Sequence, residues 1–219
     1  MYTLFGFKGS GSASVECALE MTGAPYRIVD AASWEENDAL AELARANPLK
    51  QIPTIELPNG TVLTESVAIL MHLGAAFPNS GLLPDTPIER DVLLRGLVYI
   101  AANCYPCITI GDYPERFTTA TDDASLAAVR AGTRARLHHH WDLFADLFPV
   151  TGERFIGGDH PGALDLYAAV VTRWGGARQH AKTARPAFSA LLERIESHPS
   201  VALVWGRHWQ TDAQVPTGA

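Results

Sequence analysis

The first part of the chain alternates between short apolar runs typical of strands and apolar positions at helical spacing. Residues 2–7 form an apolar, aromatic run, and residues 15–22 place apolar side chains at helical spacing before Gly23. Residues 26–29 then predict a second strand. Because strand, helix and strand follow one another closely, we expect a right-handed crossover that joins two parallel strands.

A hairpin and a closing helix complete this pattern. Asn59-Gly60 separates two runs rich in β-branched residues, 52–57 and 61–63, and this dipeptide strongly favours a tight turn between antiparallel strands. A modest helix precedes the hairpin, and a second helix, residues 65–77, follows it. The order of elements predicts a thioredoxin-like domain over residues 1–78.

Strand patterns stop after a linker rich in proline at residues 78–87. The later segments with helix-compatible spacing are residues 88–100, 126–148, 164–178, 187–197 and 201–209. We therefore predict an all-helical domain over residues 88–219. The expected fold class is an α/β thioredoxin-like N-terminal domain followed by an all-α C-terminal domain.

Composition and charge narrow the classes of function. Hydrophobic residues make up 47% of the 219 residues, and the net charge of −7 argues against a nucleic-acid-binding protein. Three cysteines without a secretory signal favour a reducing compartment over a disulfide framework, so we expect a cytoplasmic protein. No apolar run reaches the length expected of a membrane span, and no membrane partner is predicted.

Four segments of the chain together resemble the glutathione transferase superfamily. They are the glycine- and serine-rich run at residues 9–13, the loop at residues 47–53, the helix start at residues 63–69, and residues 155–165. Each is weak by itself, but their order and spacing match the superfamily over almost the whole chain. The resemblance implies a glutathione-dependent enzyme that uses glutathione as co-substrate, needs no metal and forms a twofold homodimer.

The resemblance also implies which residues bind glutathione. In the superfamily the proline at the position of Pro53 is cis, and the backbone of the residue before it, here Ile52, pairs with the cysteinyl backbone of the tripeptide as an added strand. Glu65 and Ser66 would hold the ammonium and carboxylate groups of the γ-glutamyl end. Without the resemblance, the residues alone would favour a trans Pro53 at the start of an edge strand and a helix cap at Ser66.

The glycyl carboxylate would lie at the other end of the bound tripeptide. By the resemblance Gln51 would face it, with Lys50 and Trp34 as further candidates. The alternative for these three residues is a solvated loop.

One position departs from the superfamily. Its members usually have Ser or Thr where this chain has Gly162, and that hydroxyl forms a capping box with the acid three residues later, here Asp165. Asp165 can still reach the N–H of Gly162. The departure therefore concerns the folding of the following helix and no catalytic residue.

Activation of the glutathione thiol needs a hydrogen-bond donor for the sulfur, because a free thiol is mostly protonated at neutral pH. The superfamily places a Ser, Tyr or Cys for this purpose between the first strand and first helix, and residues 8–14 contain neither Tyr nor Cys. Alignment backward from Gly23 favours Ser12 first and Ser10 second. The alternative is that these serines only cap the helix.

Two classes of function fit these residues. The first is a glutathione transferase that activates the thiol for attack on a small hydrophobic electrophile, with reductase, isomerase and dehalogenase versions left open. The second is a catalytically silent relative that serves as a binding or protein-interaction module, and fold alone does not separate the two. For the transferase, Tyr105, Tyr113 and Phe117 are the predicted wall of the co-substrate pocket, beside a helix kink at Pro106.

Two further motifs are assigned structural roles. Cys104-Tyr105-Pro106-Cys107 has the spacing of a redox pair but follows a long helix instead of beginning one, so a redox role is not favoured. His138-His139-His140 are consecutive on a helix and therefore point in different directions, which argues against a shared metal ion.

Overall fold

The strands of the first part of the chain form one mixed sheet. The computed structural model describes residues 1–32, 38–150, 152 and 154–209. Its strands are β1 (Tyr2–Gly6), β2 (Tyr26–Asp30), β3 (Thr54–Glu56) and β4 (Val62–Thr64). In the sheet order β2-β1-β3-β4, β1 is parallel to β2 and antiparallel to β3, and β4 is antiparallel to β3. The predicted parallel pair and hairpin are confirmed.

Three helices alternate with these strands in the predicted order. They are α1 (Ser12–Thr22), α2 (Asp38–Ala46) and α3 (Ser66–Ala76). The hairpin turn is closed by the Leu57 N–H, which donates to the Thr61 carbonyl at 2.8 Å. Together with the sheet, these helices form the thioredoxin-like fold predicted for this part of the chain.

Helices make up the regular structure that follows, apart from short turns. They are α4 (Pro87–Tyr99), α5 (Tyr105–Asp112), α6 (Asp123–Leu147), α7 (Ala163–Val171), α8 (Ala177–Ala184), α9 (Pro186–Ser197) and α10 (Pro199–His208). Within the described residues after 83 there is no strand, only an isolated bridge between Phe155 and Gly158. The predicted fold class is therefore confirmed.

Two helix predictions differ from the structure. The segment 164–178, expected as one helix, contains the end of α7 and the start of α8, because Gly175 and Gly176 both have left-handed φ angles of 64° and 74°. The helix α5 is absent from the predicted elements. It follows a π-helical turn, Ile100–Cys104, and begins with Pro106 in its first turn, where the missing proline N–H costs no helical hydrogen bond.

Together α4, the π-helical turn and α5 form one helical stretch, Pro87–Asp112, that is longer than the sequence pattern indicates. It is 26 residues long, and its most apolar window has a mean hydropathy of 1.4, with 39% of that window buried. Length and composition alone would let it cross a membrane, contrary to our expectation that no run is long enough. The core helix of a soluble protein meets the same two criteria, and here α4 packs on α7 and α5 packs on α6.

The described residues form two compact units. The first combines residues 1–83 with 196–209, and the second contains residues 84–195. Everything from residue 88 onward was expected in the helical domain, whereas α10 packs against α1 in the first unit. The predicted domain limits stay a prediction, because compact units and independently folding domains are different properties.

Candidate active site

The loop between β1 and α1 is closed by the side chain of Ser12. This serine is 1% exposed, and its Oγ accepts the Phe7 N–H at 3.2 Å and lies 3.3 Å from the Phe7 carbonyl oxygen. Gly6 permits this close approach, because a Cβ there would lie 2.6 Å from the Ser12 Oγ. The Ser12 hydroxyl therefore forms hydrogen bonds within the loop.

Ser10 lies in the same loop and is partly exposed. Its Oγ accepts the Ser12 N–H at 3.2 Å and lies 2.8 Å from the Ser12 Oγ. The contact satisfies the Ser12 N–H at the start of α1, but Gly11 occupies the N-cap position and, among the described residues, no side chain caps it. When Ser12 donates its proton to Ser10, both contacts use Ser10 as an acceptor, and the Ser10 proton is left to point outward.

The segment before β3 is held from behind by Asn47 and Thr54. The Thr54 hydroxyl donates to the Gln51 carbonyl at 2.7 Å, and the buried Asn47 amide donates to the same carbonyl at 3.3 Å and to the Thr54 Oγ1 at 3.0 Å. The Ile52-Pro53 peptide bond is cis. The Ile52 N–H and C=O make no hydrogen bond with another described residue, so both are open to a ligand.

Glu65 and Ser66 form the junction between β4 and α3. Glu65 is exposed and has φ 65° and ψ 113°, a left-handed φ that costs a residue with a side chain about 1–3 kcal/mol. Ser66 is the first residue of α3. Among the described residues, neither the Glu65 carboxylate nor the Ser66 hydroxyl has a hydrogen-bond partner, and the Glu65 side chain does not cap α3.

Strand register brings these three segments to one edge of the sheet. Phe5 near the end of β1 lies opposite Thr54 at the start of β3, and Thr54 lies opposite Thr64 at the end of β4. Consequently the loop after β1, the Gln51–Pro53 segment before β3 and the Glu65-Ser66 junction after β4 all leave the sheet at the same end. Local sequence signals identify each segment separately, and the antiparallel pairing of the strands brings the three segments to the same end of the sheet.

The residues predicted for the glycyl end are only partly described. Gln51 and Lys50 are exposed, and Lys50 has a left-handed φ of 53°. Trp34 lies outside the described residues. The structure thus places Gln51 beside Ile52 at the common edge, and its role stays a prediction.

The predicted co-substrate residues lie in the second unit. Tyr105 begins α5 and is half-buried, whereas Tyr113 and Phe117 flank a 3₁₀ turn, Pro114–Arg116, and are 43% and 53% exposed. The Arg116 guanidinium lies 4.1 Å from the centre of the Tyr113 ring, a cation–π contact. Two large aromatic side chains on one exposed turn offer apolar area, and their role with a substrate stays a prediction.

The cysteine pair has the character of packed core residues. Cys104 and Cys107 are both buried free thiols, and the Cys107 thiol donates to the Asn103 carbonyl at 3.2 Å. Burial raises the pKa of both thiols above the usual range. Because the thiolate is the reactive form, these two cysteines are poor nucleophiles.

The three consecutive histidines have three different environments. His138 stacks on His180 with ring centres 4.4 Å apart, His139 is exposed, and the Nδ1 of His140 lies 3.1 Å from the Tyr99 hydroxyl. In the part of the chain that the structure describes, no group of three or more His, Cys, Asp or Glu side chains is placed to hold a metal ion.

Asp165 organises the turn that precedes α7. Its Oδ1 accepts the Ile156 N–H at 2.8 Å, and its Oδ2 accepts the N–H groups of Gly157 and Gly162 at 2.9 Å each. The predicted reach of Asp165 to Gly162 is thus present. Complete burial raises the pKa of Asp165 to about 6 against the opposing effect of these backbone donors.

Sequence reasoning missed a buried ion cluster behind the β1–α1 loop. Glu16 of α1 is 3% exposed, and its Oε2 lies 2.7 Å from the Nε2 of His208 in α10. Arg207 lies beside the same carboxylate, with Nη1 3.0 Å from Oε1. A charged residue among apolar neighbours within α1 was a possible signal, but its partner is distant in sequence.

These observations first define a class: a thioredoxin-like sheet with open polar groups at one edge, followed by an all-α region. Residues 1–75 match the family model of the glutathione S-transferase N-terminal domain. The chain is 30% identical over 168 residues to glutathione S-transferase U1 of Arabidopsis thaliana, which covers 75% of this chain and 67% of that protein. The chain therefore belongs to the glutathione S-transferase family of enzymes.

Two further comparisons cover nearly the whole chain. It is 28% identical over 210 residues to the uncharacterized GST-like protein YncG of Escherichia coli K12, with 95% of this chain and 98% of that protein covered. A solved glutathione transferase homologue from Sulfitobacter with bound glutathione has a TM-score of 0.78 at 22% identity, covering 93% of this chain and 96% of the other. The fold is thus shared over most of both chains.

Proposed function

We propose that this protein is a glutathione transferase that activates the glutathione thiol for attack on a small hydrophobic electrophile. The observation that carries the proposal is the shared end of the sheet, where the Ile52 segment, the Glu65-Ser66 junction and the loop of Ser10 all leave the strands. Each segment offers polar groups to a ligand of matching polarity. Glutathione has a partner for each segment: the backbone of its cysteine, the ammonium and carboxylate of its γ-glutamyl end, and its thiol.

Binding follows from the chemistry of these groups. The Ile52 N–H and C=O pair with the cysteinyl backbone of glutathione, Glu65 holds the γ-glutamyl ammonium, and Ser66 holds the neighbouring carboxylate at the start of α3. Gln51 extends the site toward the glycyl carboxylate. No hydrogen bond within the described chain competes for the Glu65 and Ser66 side chains.

A Ser66→Ala variant tests this part of the proposal by calorimetry. Loss of a hydroxyl that binds a charged carboxylate should weaken glutathione binding by about 1.5–3 kcal/mol, or roughly 10- to 150-fold. Thr61→Ala is the matched control, because that exposed residue lies before β4 at the opposite end of the strand. Unchanged affinity in folded Ser66→Ala protein would show that glutathione binds elsewhere.

For thiol activation we propose Ser10 as the donor to the sulfur and Ser12 as the residue that orients it. This reverses the order expected from the sequence, because the buried Ser12 hydroxyl is occupied within the loop, whereas the partly exposed Ser10 hydroxyl can turn its proton outward when Ser12 donates to it. Lowering the thiol pKa by about two units requires about 2.7 kcal/mol of differential stabilisation. One charge-assisted hydrogen bond together with the positive end of α1 is of that size.

The thiolate absorbance of bound glutathione, followed against pH, tests the serine mechanism. In Ser10→Ala the bound thiol should have a pKa higher by about one unit or more, with turnover slowed by about tenfold. Ser12→Ala should also lower the thermal stability, because it removes the link to Phe7. If neither variant changes the thiol pKa or turnover, backbone N–H groups activate the thiol instead.

The finer assignments belong to the same proposal. Tyr105, Tyr113 and Phe117 supply apolar area for the electrophile, and the protein acts in the cytoplasm as a homodimer. The exposed apolar side chains on α4, Ile88 and Val92, support an interface on that helix. Light scattering at micromolar concentration tests the dimer, and a monomer there would refute it.

A further inference from the structure

A buried acid–imidazole pair lies behind the loop that carries Ser10. His208 in α10 is 6% exposed, and its Nε2 lies 2.7 Å from the Oε2 of Glu16, which is 3% exposed. The other ring nitrogen of His208, Nδ1, accepts the backbone N–H of Gly9 at 3.1 Å. The two ends of the ring thus connect helix α1 to the β1–α1 loop.

The partners of the ring determine its protonation. A backbone N–H can only donate, so the His208 Nδ1 must be the unprotonated acceptor, and Nε2 must carry the proton that it donates to the Glu16 carboxylate. The ring is therefore held as the neutral Nε2–H tautomer. A second proton, on Nδ1, would face the Gly9 N–H and break that contact.

Gly9 is the point at which the loop turns. Its φ of 73° is in the left-handed region, and it lies directly before Ser10. A Cβ at this position would lie 3.7 Å from the Trp209 Nε1 and 3.9 Å from the His208 carbonyl oxygen, so the loop passes closely over the end of α10. A shift of the Gly9 amide would therefore change the direction of the Ser10 hydroxyl.

We propose that Glu16 and His208 form a positioning pair, which holds the β1–α1 loop through the Gly9 N–H so that the Ser10 hydroxyl faces the substrate thiol. The proposal rests on the proposed function for its catalytic consequence, although the loop contact itself does not. Neither residue touches glutathione in this scheme. His208 acts through Gly9, and Glu16 acts by fixing the tautomer of His208.

Further charged groups lie around the pair. Arg207 of α10 lies beside Glu16 and also pairs with Glu20, while Lys8 from the loop and Asp30 at the end of β2 line the same cavity of about 270 Å³. Two positive and two negative groups therefore surround the pair.

Two near-isosteric substitutions separate the two hydrogen bonds of the ring. In His208→Asn the amide oxygen takes the place of Nδ1, keeping the acceptor for Gly9 and losing the donor to Glu16. In His208→Gln the amide nitrogen takes the place of Nε2, keeping the donor and losing the acceptor. Glu20→Gln is the control, because it removes the exposed contact to Arg207 and leaves the pair intact.

The first experiment uses the full chain without ligand and is independent of its activity. We expect nitrogen NMR to show an unprotonated His208 Nδ1, and the Gly9 amide to exchange with water at least tenfold faster in His208→Gln but less than threefold faster in His208→Asn and Glu20→Gln. A protonated Nδ1, or equal exchange rates in all four proteins, would overturn the proposed contact.

The second experiment measures steady-state turnover. His208→Gln should lower kcat about tenfold and leave the KM for glutathione within twofold, while His208→Asn should keep kcat within threefold of the unmodified protein. Equal loss in both variants, or a change in KM alone, would overturn the positioning role. If even the unmodified protein neither binds nor consumes glutathione, the proposed function fails, and the NMR result still decides whether His208 holds Gly9.

Discussion

Asp165 offers a quantitative test of how one buried side chain stabilises the helical region. Its carboxylate accepts three backbone hydrogen bonds, from Ile156, Gly157 and Gly162, and has no access to water. Asp165→Ala leaves the three donors without an acceptor. One unsatisfied buried donor costs about 1–3 kcal/mol.

The expected total follows from the exposure of each donor. The Gly162 N–H bond is buried and pays the full cost, whereas the Ile156 and Gly157 bonds are partly buried and regain some water. We therefore expect Asp165→Ala to lower the free energy of unfolding by about 3–5 kcal/mol. In a protein of this size that corresponds to a fall in Tm of roughly 6–20 °C.

Urea denaturation followed by circular dichroism, at one protein concentration and neutral pH, measures this change. Asp159→Ala is the matched control, because among the described residues Asp159 makes an exposed ion pair with Arg154 at 3.2 Å, and its loss should cost less than about 1 kcal/mol. Asp165→Asn keeps one acceptor oxygen, which is enough for the two N–H groups that donate to Oδ2. Its loss of unfolding free energy should therefore lie between those of Asp165→Ala and Asp159→Ala. If Asp165→Ala cost no more than Asp159→Ala, the reasoning from unsatisfied donors would be wrong.

Three further predictions concern stability and substrate binding. Gly96→Ala should lower the free energy of unfolding by about 1–2 kcal/mol in urea denaturation, because its Cβ would collide with Leu164. Gly132→Ala has open space around it and should raise the free energy of unfolding by about 0.5–1 kcal/mol. Equal effects of the two substitutions would contradict this reasoning. Burial lowers the pKa of His140, so the unfolded chain binds a proton more readily than the folded protein, and the free energy of unfolding should fall as the pH drops below about 6.5. His140→Gln should make the free energy of unfolding less dependent on pH in this range. An unchanged pH dependence would refute the assignment to His140. Phe117→Ala should raise the KM for a hydrophobic electrophile at least threefold at unchanged KM for glutathione, and an unchanged electrophile KM would exclude Phe117 from the pocket.

Local signals in the sequence were sufficient for most of the fold. The hairpin at Asn59-Gly60 and the alternating first strands depend on neighbouring residues, and so their structure could be predicted. The break between α7 and α8 depends on Gly175, where a Cβ would collide with Leu137 of α6. A pattern of apolar positions shows neither this distant contact nor the left-handed φ angles of Gly175 and Gly176, so the pattern predicts a continuous helix there.

The functional site also contains features that the sequence predicts and features that depend on the three-dimensional structure. The resemblance assigns glutathione-binding roles to Glu65 and Ser66 at a helix start and to Ile52 before Pro53, and these roles stay predictions. The order of Ser10 and Ser12 expected from the sequence is the reverse of our proposal, because the direction of a loop hydroxyl depends on the turn at Gly9 and on the Phe7 backbone. The resemblance to a family predicts which positions carry the hydroxyl groups, whereas the geometry of the loop determines the direction in which each hydroxyl points.

The packing of α10 on α1 has a consequence for synthesis on the ribosome. The sheet and its first three helices emerge early, but the helix that covers Glu16 lies beyond residue 195. At about 5–20 residues per second, roughly 6 to 25 s pass between the appearance of residue 83 and that of His208. During that interval the Glu16 carboxylate has no imidazole partner, so the nascent first unit should acquire its final loop conformation only after α10 has been synthesised.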